Sequence, residues 1–232
     1  MKYLVIIIAL AMTYPVLAQR RPKEKLVNLE NFDKKFLSWG YYLGFNTYDY
    51  KIDYNRIAEK IETASTLGFN VGLVGDMRIN NYINLRLEPG ISFVNRELTF
   101  NSPLLTDESM RLREVSSTYI QVPLLIKFST KRLNNFKPFI VGGVSYSNNL
   151  SSNEDNPDDN SAGQFRQKTA VFNYELGIGV DLYLPYFKFT PSIRGVFAMQ
   201  DELVRDIDPA SPYTSSVSSM QSRGIFLNFT FQ

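Results

Sequence analysis

The chain has 232 residues with 25 Lys and Arg against 23 Asp and Glu, 44% hydrophobic and 14% aromatic residues, and neither Cys nor His. A formal charge of +2 gives no nucleic-acid footprint. Without Cys there is no disulfide framework, Cys-rich zinc site or cysteine lipidation, and without His the Ser-His, Cys-His and Asp-His mechanisms fall away, leaving only carboxylate, Lys or Tyr chemistry.

Residues 1–18 read as an export signal: Lys2 gives the positive start, Leu4 to Met12 are almost wholly apolar, and Val16-Leu17-Ala18 precede Gln19 as a cleavage site requires. The apolar run is shorter than the roughly 20 residues of a spanning helix. Cleavage after Ala18 leaves 24 basic and 23 acidic residues, because Lys2 is the one charge removed. The next stretch, residues 19–37, is expected to be a periplasmic basic arm: Arg20, Arg21, Lys23, Lys25, Lys34 and Lys35 stand against Glu24, Glu30 and Asp33 without alternation. It reads either as a solvated leader or as a segment that binds a partner.

From residue 38 the period is two. Trp39, Tyr41, Leu43 and Phe45 alternate with Gly40, Tyr42, Gly44 and Asn46. Leu67, Phe69, Val71 and Leu73 alternate with Gly68, Asn70, Gly72 and Val74, and Ile83, Leu85, Leu87, Ile91 and Phe93 with Asn84, Arg86, Glu88, Gly90 and Ser92. A fourth run sets Thr118, Ile120, Val122, Leu124, Ile126 and Phe128 against Tyr119, Gln121 and Lys127. The fifth, residues 136–146, is too apolar to assign its faces. The sixth sets Phe172, Tyr174, Leu176, Ile178, Val180 and Leu182 against Asn173, Glu175, Gly177, Gly179 and Asp181. The seventh sets Phe187, Phe189, Ile193 and Phe197 against Lys188, Thr190, Ser192 and Arg194, and the last Ile225, Leu227, Phe229 and Phe231 against Phe226, Asn228, Thr230 and Gln232.

The links between these eight runs alternate in length. Short ones fall at Asn80-Asn81, at residues 131–135 and around Leu184-Pro185; long ones cover about residues 51–65, 98–116, 148–167 and 200–221. This predicts an all-β fold, an eight-stranded antiparallel transmembrane β-barrel of the outer-membrane type over 38–232, with short turns and both termini on the periplasmic side. A soluble barrel alternates too, so composition decides which face is inside. One face carries Gly40, Gly44, Gly68, Gly72, Gly90, Gly177 and Gly179 beside Tyr, Arg and Glu, as a narrow lumen requires. The other is nearly continuous Leu, Ile, Val and Phe with Trp39, Tyr41 and Phe187 near strand ends, suited to lipid and an aromatic girdle.

The lumen face also places Asp76, Glu88, Glu175 and Asp181 with Arg78, Arg86, Lys127, Lys188 and Arg194, a charge network expected to plug the barrel. In the hairpin of the sixth and seventh runs, a four-residue loop Tyr183-Leu184-Pro185-Tyr186 would set Leu182 opposite Phe187, Asp181 opposite Lys188 and Glu175 opposite Arg194. With the charges matched, the carboxylates read as structural rather than as a hydrolase pair. The acidic loop at residues 153–160 (NEDNPDDN) lacks EF-hand spacing and reads as a solvated external loop rather than a Ca²⁺ site. Tyr41, Tyr42, Tyr48, Tyr50 and Tyr54 read as girdle and lumen packing. Catalytic residues, metal ligands and cofactors are therefore expected to be absent, as are nucleic-acid and small-molecule partners.

The stretches STYIQVPLLIKF, KRLNNFKPFIVGGVSY and YELGIGVDLYLPYFKFTPSI, with the upstream NLENFDKKFLSWGYYLGFNTYDYKI and FNVGLVGDMRINNYINLRLEPGISF, resemble the PorT/SprT proteins of Bacteroidetes type IX secretion over residues 28–232. KRLNNFKPFIVGG and DLYLPYFKF, in order and at this spacing, make the resemblance specific. It implies an outer-membrane barrel required for type IX protein secretion and, in gliding species, gliding motility, with other secretion components as partners. It supplies no catalytic residues. The final Gln232 departs from the aromatic that more often ends such strands, although Phe229 and Phe231 keep the alternation. The alternative is a stand-alone structural or adhesive barrel whose external loops touch other surfaces. A diffusion pore is disfavoured, because eight strands leave an interior filled by side chains.

Overall fold

The computed structural model describes residues 26–55, 60–101, 105, 111–154, 156, 166–206, 211 and 213–232. The expected signal (1–18) and Arg20, Arg21, Lys23 and Lys25 lie outside them. Ten β-segments follow one another: β1 (Leu37–Tyr54), β2 (Ile61–Ser65), β3 (Leu67–Arg78), β4 (Ile83–Leu87), β5 (Gly90–Phe100), β6 (Leu112–Ser129), β7 (Phe136–Asn149), β8 (Ala170–Tyr183), β9 (Lys188–Ala198) and β10 (Val217–Phe231). They make eight barrel strands, because β2 with β3 and β4 with β5 are each one strand with a local break. The first break is at Thr66, whose N–H and hydroxyl both donate to the Asn95 carbonyl, at 3.3 and 2.8 Å. The second is at Glu88-Pro89, where proline has no N–H to give the ladder; Glu88 N–H reaches Pro123 O at 3.2 Å and Pro89 O accepts from Leu73 at 2.9 Å.

All neighbours are antiparallel, and β1 pairs both β3 and β10, which closes the ring; beyond Thr47 the β1–β3 ladder stops, and β2 pairs with β5 alone among the described residues. The short turns at 79–82, 130–135 and 184–187 and both described chain ends gather at one rim; the longer links lie at the other. The first turn is held by Asn80, whose Oδ1 accepts the Tyr82 and Ile83 N–H groups at 2.8 Å each. At the second, Asn134 takes a positive φ of 55°.

Period-two alternation decides the faces as composition suggested. Outward lie Trp39, Tyr41, Leu43 and Phe45 on β1 and Phe172, Tyr174, Leu176 and Ile178 on β8, all well exposed. Tyr42, Asn46, Tyr48 and Tyr50 from β1 and Asn173, Glu175 and Asp181 from β8 are buried in the lumen. Strand β7, undecided from its sequence, turns Lys137, Phe139, Val141, Ser145 and Ser147 inward and Phe136, Ile140, Val144 and Tyr146 outward. Near the short-turn rim, Phe231 stacks on Tyr41 at 5.3 Å and meets Phe187 and Phe189 at 6.0 and 5.3 Å, so the penultimate residue supplies the terminal aromatic of the girdle.

Two expectations need correction. The β8–β9 hairpin closes with Tyr183 opposite Lys188, so its four-residue loop is 184–187, one residue later than expected. Leu182 then faces Phe189, Gly177 faces Arg194 and Glu175 faces Val196. The shift is two residues, which keeps every side chain on its expected face. The second correction concerns the long links. Strand β1 runs 18 residues to Tyr54, β6 begins at Leu112 and β10 at Val217, all inside stretches read as loops. Eighteen residues extend about 60 Å, far more than the roughly 9–11 needed to cross a bilayer. The projecting ends enclose an apolar core of Tyr50, Ile61, Leu98, Phe100, Leu105, Val115, Leu203, Tyr213, Val217 and Met220. Leu105, Leu203 and Tyr213 come from the links themselves and close the long-loop end of the barrel.

Candidate functional site

The lumen is filled in layers. Nearest the short-turn rim, Lys127 Nζ lies 2.5 Å from Asp181 Oδ2 and 4.1 Å above the Phe139 ring, while Thr190 Oγ1 donates to Asp181 Oδ1 at 2.8 Å. Arg86 binds Asp76 at 2.7 Å and Glu88 at 3.3 Å, and Asn84 donates to the second Asp76 oxygen at 2.7 Å. Arg194 then joins Glu88 at 2.6 Å to Glu175 at 2.8 Å. Asp76, Arg86, Glu88, Arg194 and Glu175 thus form one chain of ion pairs. Glu88 sits at the β4–β5 break and Arg194 on β9, four barrel strands apart in a ring of eight, so their bond crosses the full width of the lumen. Buried ions of this kind are tolerable only when each finds partners that offset its lost hydration, and here each of the four carboxylates holds a cation.

Of the nine charged residues assigned to the lumen from sequence, eight are buried: Asp76, Arg86, Glu88, Lys127, Glu175, Asp181, Lys188 and Arg194. Seven of these form the ion pairs above. Lys188 instead places its ammonium 4.7 Å above the Phe32 ring. Arg78 is half-buried at the rim, donating to Asn81 Oδ1 and, at 3.4 Å, to the Lys34 carbonyl.

Above the ion pairs lies an amide ladder, with Asn70 donating to Asn228 at 2.7 Å. Gly90 faces Tyr42 here so closely that a Cβ would stand 2.1 Å from the phenol oxygen; only glycine leaves the ring its place. Next comes Arg96, fully buried, 4.0 Å over Tyr50 and donating to Tyr119 at 2.7 Å and Ser222 at 3.1 Å, while the Ser222 hydroxyl donates to Glu202 at 2.8 Å. Sequence reasoning missed Arg96 because the alternation of the third run was followed only to Phe93; carrying it on puts Val94, Arg96 and Leu98 inside. Lys137 was missed because the faces of β7 were unassigned.

The other end is covered by residues 26–36, which pack across the short-turn rim as a strap. Asn28 docks it: its N–H donates to Asn135 Oδ1 at 2.8 Å and its amide to the Tyr183 carbonyl at 3.0 Å. Arg132 stacks 3.6 Å over the Tyr183 ring and donates to the carbonyls of Asn28 and Leu29. Tyr183 donates to Asp33, at 2.7 and 2.8 Å to its two oxygens, and Lys137 lies 3.8 Å from the same carboxylate. Lys34 and Lys35, read from sequence as part of a partner-binding arm, belong to this strap: Lys34 donates to Asn31 at 3.0 Å and Lys35 lies 5.3 Å from the Phe32 ring.

Of the acidic loop at residues 153–160, Asn153, Glu154 and Asn156 are described. Glu154 accepts the Thr169 N–H at 2.7 Å, and that bond holds its carboxyl below the usual range. Among the described residues no three acidic side chains are placed to hold a metal ion.

No curated protein matches the chain. Solved structures to which the chain is similar include OprG of Pseudomonas aeruginosa, at 14% identity and a TM-score of 0.48 over 83% of this chain and 94% of that one. Ail, the attachment invasion locus protein of Yersinia pestis, has 14% identity and a TM-score of 0.38 over 83% and 96%. Neisserial surface protein A has 10% identity and a TM-score of 0.41 over 84% and 98%. Residues 17–204 match the family described as outer membrane protein beta-barrel domain. With its closed ring, its lipid-facing apolar surface and that match over most of its length, the chain belongs to the outer membrane protein beta-barrel domain family.

Proposed function

We propose that this protein is an accessory barrel of type IX protein secretion, acting through contacts at its two rims rather than by conduction or catalysis. The observation that carries the non-conducting part is the Arg194 to Glu88 ion pair across the lumen, with the apolar core above it and the strap below. A barrel sealed three times over offers a partner only its outer surfaces. The secretion role itself draws on the resemblance of KRLNNFKPFIVGG and DLYLPYFKF to PorT/SprT proteins. In this reading residues 1–18 are cleaved during export, the short turns and both termini face the periplasm, and Arg20, Arg21, Lys23, Lys25, Lys34 and Lys35 engage other secretion components there. The lumen charges serve to hold the barrel shut.

Deletion of the gene followed by proteomics of the culture fluid tests the role. Broad loss of exported proteins, with loss of gliding where the species glides, supports it; loss of surface adhesion alone supports the stand-alone adhesive barrel instead. Replacing Arg20, Arg21, Lys23 and Lys25 together by Ser should impair export while the barrel still inserts. Wild-type export from that variant would remove the arm from the reading.

A further inference from the structure

Between the strap and the turns of the short-turn rim lies a cavity of about 220 Å³. Six cationic side chains line it, Lys35, Arg78, Lys131, Arg132, Lys137 and Lys188, against two carboxylates, Asp33 and Asp76. Both carboxylates are already engaged, Asp76 by Arg86 and Asn84 and Asp33 by Tyr183 and Lys137. Among the described residues, no carboxylate lies within ion-pair distance of Lys35, Arg78, Lys131, Arg132 or Lys188. Arg132 spends its donors on carbonyl and amide oxygens, which leaves its charge uncancelled. Lys188 is 3% exposed, so part of this surplus sits where water screens it poorly.

A second observation points the same way. Arg78 Nε is buried and has no hydrogen-bond partner, as is true of Arg86 and Arg96 Nε in the lumen; of these three only Arg78 lines the cavity. Asn80 and Asn81 use their side-chain oxygens to accept from the turn and from Arg78, so their amide protons remain to be given. The wall therefore offers charge and donors in excess and no acceptor to take them.

We propose that this cavity binds a phosphate monoester group. A dianion matches the surplus better than a single carboxylate, and it presents three terminal oxygens to donors arriving from the strap, from β3 and its turn, from the β6–β7 turn and from β9. The Arg78 fork can bind two of those oxygens while the lysines act as point charges. The rings of Phe32 and Tyr82 give the ester's organic part an apolar wall. The same chemistry has two sources, a soluble phosphate ester and the head group of a lipid such as phosphatidic acid. Neither depends on the secretion role.

The test uses the full chain in phosphatidylcholine nanodiscs, titrated by calorimetry with glycerol 3-phosphate and, as an uncharged control, glycerol. In a second arm phosphatidic acid replaces part of the phosphatidylcholine, and bound lipid is measured by native mass spectrometry. Saturable binding of glycerol 3-phosphate but not glycerol assigns a soluble ester; selective retention of phosphatidic acid alone assigns the lipid. Arg78→Gln with Lys131→Gln should weaken either about tenfold, whereas Arg223→Gln, on the outer surface of β10, should change nothing. If the double variant fails to insert, competition by inorganic phosphate on the wild type decides instead. Binding in neither arm, or binding that neither the double variant nor inorganic phosphate reduces, overturns the proposal.

Discussion

Arg194 stands directly opposite Gly177 in the β8–β9 ladder, yet it binds Glu175, one diagonal step away, with Nε 2.8 Å from Oε2. Diagonal neighbours on one face of an antiparallel pair are within reach of long side chains. Gly177 makes this diagonal possible by leaving the position under the guanidinium stem empty. From there Arg194 holds Glu175 on its own hairpin and Glu88 on the far wall at once.

A side chain at position 177 should therefore be felt in the ion pairs as well as locally. A Cβ there would lie 2.6 Å from the Ile193 carbonyl oxygen and 3.0 Å from Arg194 Cβ. Gly177→Val is expected to cost about 1–3 kcal/mol of barrel stability, the usual range for overpacking, read from urea unfolding in detergent micelles. An unchanged midpoint would show that the ladder can move aside without loss.

Removing the shared cation tests the network directly. Arg194→Met leaves Glu175 without a cation and Glu88 with Arg86 alone, for which the expected cost is about 3–5 kcal/mol. Adding Glu88→Gln and Glu175→Gln to that variant should restore most of the loss, because the uncompensated charges are then gone. A triple variant no more stable than Arg194→Met would mean that packing, not charge, is what Arg194 contributes.

The absence of native cysteine makes orientation measurable. Tyr186 in the β8–β9 turn is 92% exposed and Leu150 after β7 is 61% exposed, at opposite rims. On whole cells a membrane-impermeant thiol reagent should label Leu150→Cys and spare Tyr186→Cys. The reverse pattern would turn the barrel over in the membrane.

In planar bilayers the purified protein should show no stable conductance steps. Arg86→Ala with Arg194→Ala, which removes both guanidinium groups from the ion-pair chain across the lumen, should still conduct little, since the apolar core at the long-loop end is untouched. Porin-like steps from the wild type would contradict the sealed lumen.

The alternation that revealed the strands comes from a force every outward residue shares, the need to meet lipid, and so it can be read one residue at a time. Register is different. Parity fixed the faces of β8 and β9 but left registers two residues apart almost equal, because Arg194 can satisfy Glu175 straight across or on the diagonal. Strand β7 gave no faces because Phe139 and Val141 are apolar yet point inward, under Lys127 and beside Leu125. The links gave least. Leu203 and Tyr213 sit in polar surroundings in the sequence, and the Ile61, Leu98 and Phe100 side chains that bury them come from far along the chain. The strap was hidden likewise: its lysines dominate the composition, whereas Asn28 and Asp33, which dock it, meet partners more than 100 residues away.

The ion pair that crosses the lumen also limits how the molecule can deform. A closed sheet can flatten into an ellipse or part at its seam, and either motion must separate the walls that carry Glu88 and Arg194. Glu88 would then keep only Arg86 and Arg194 only Glu175, and the attraction lost between the two walls stiffens these soft modes. Braced across its diameter like a wheel with a spoke, the barrel moves as a rigid body, and whatever it transmits between the two sides of the membrane travels by tilt or displacement of the whole.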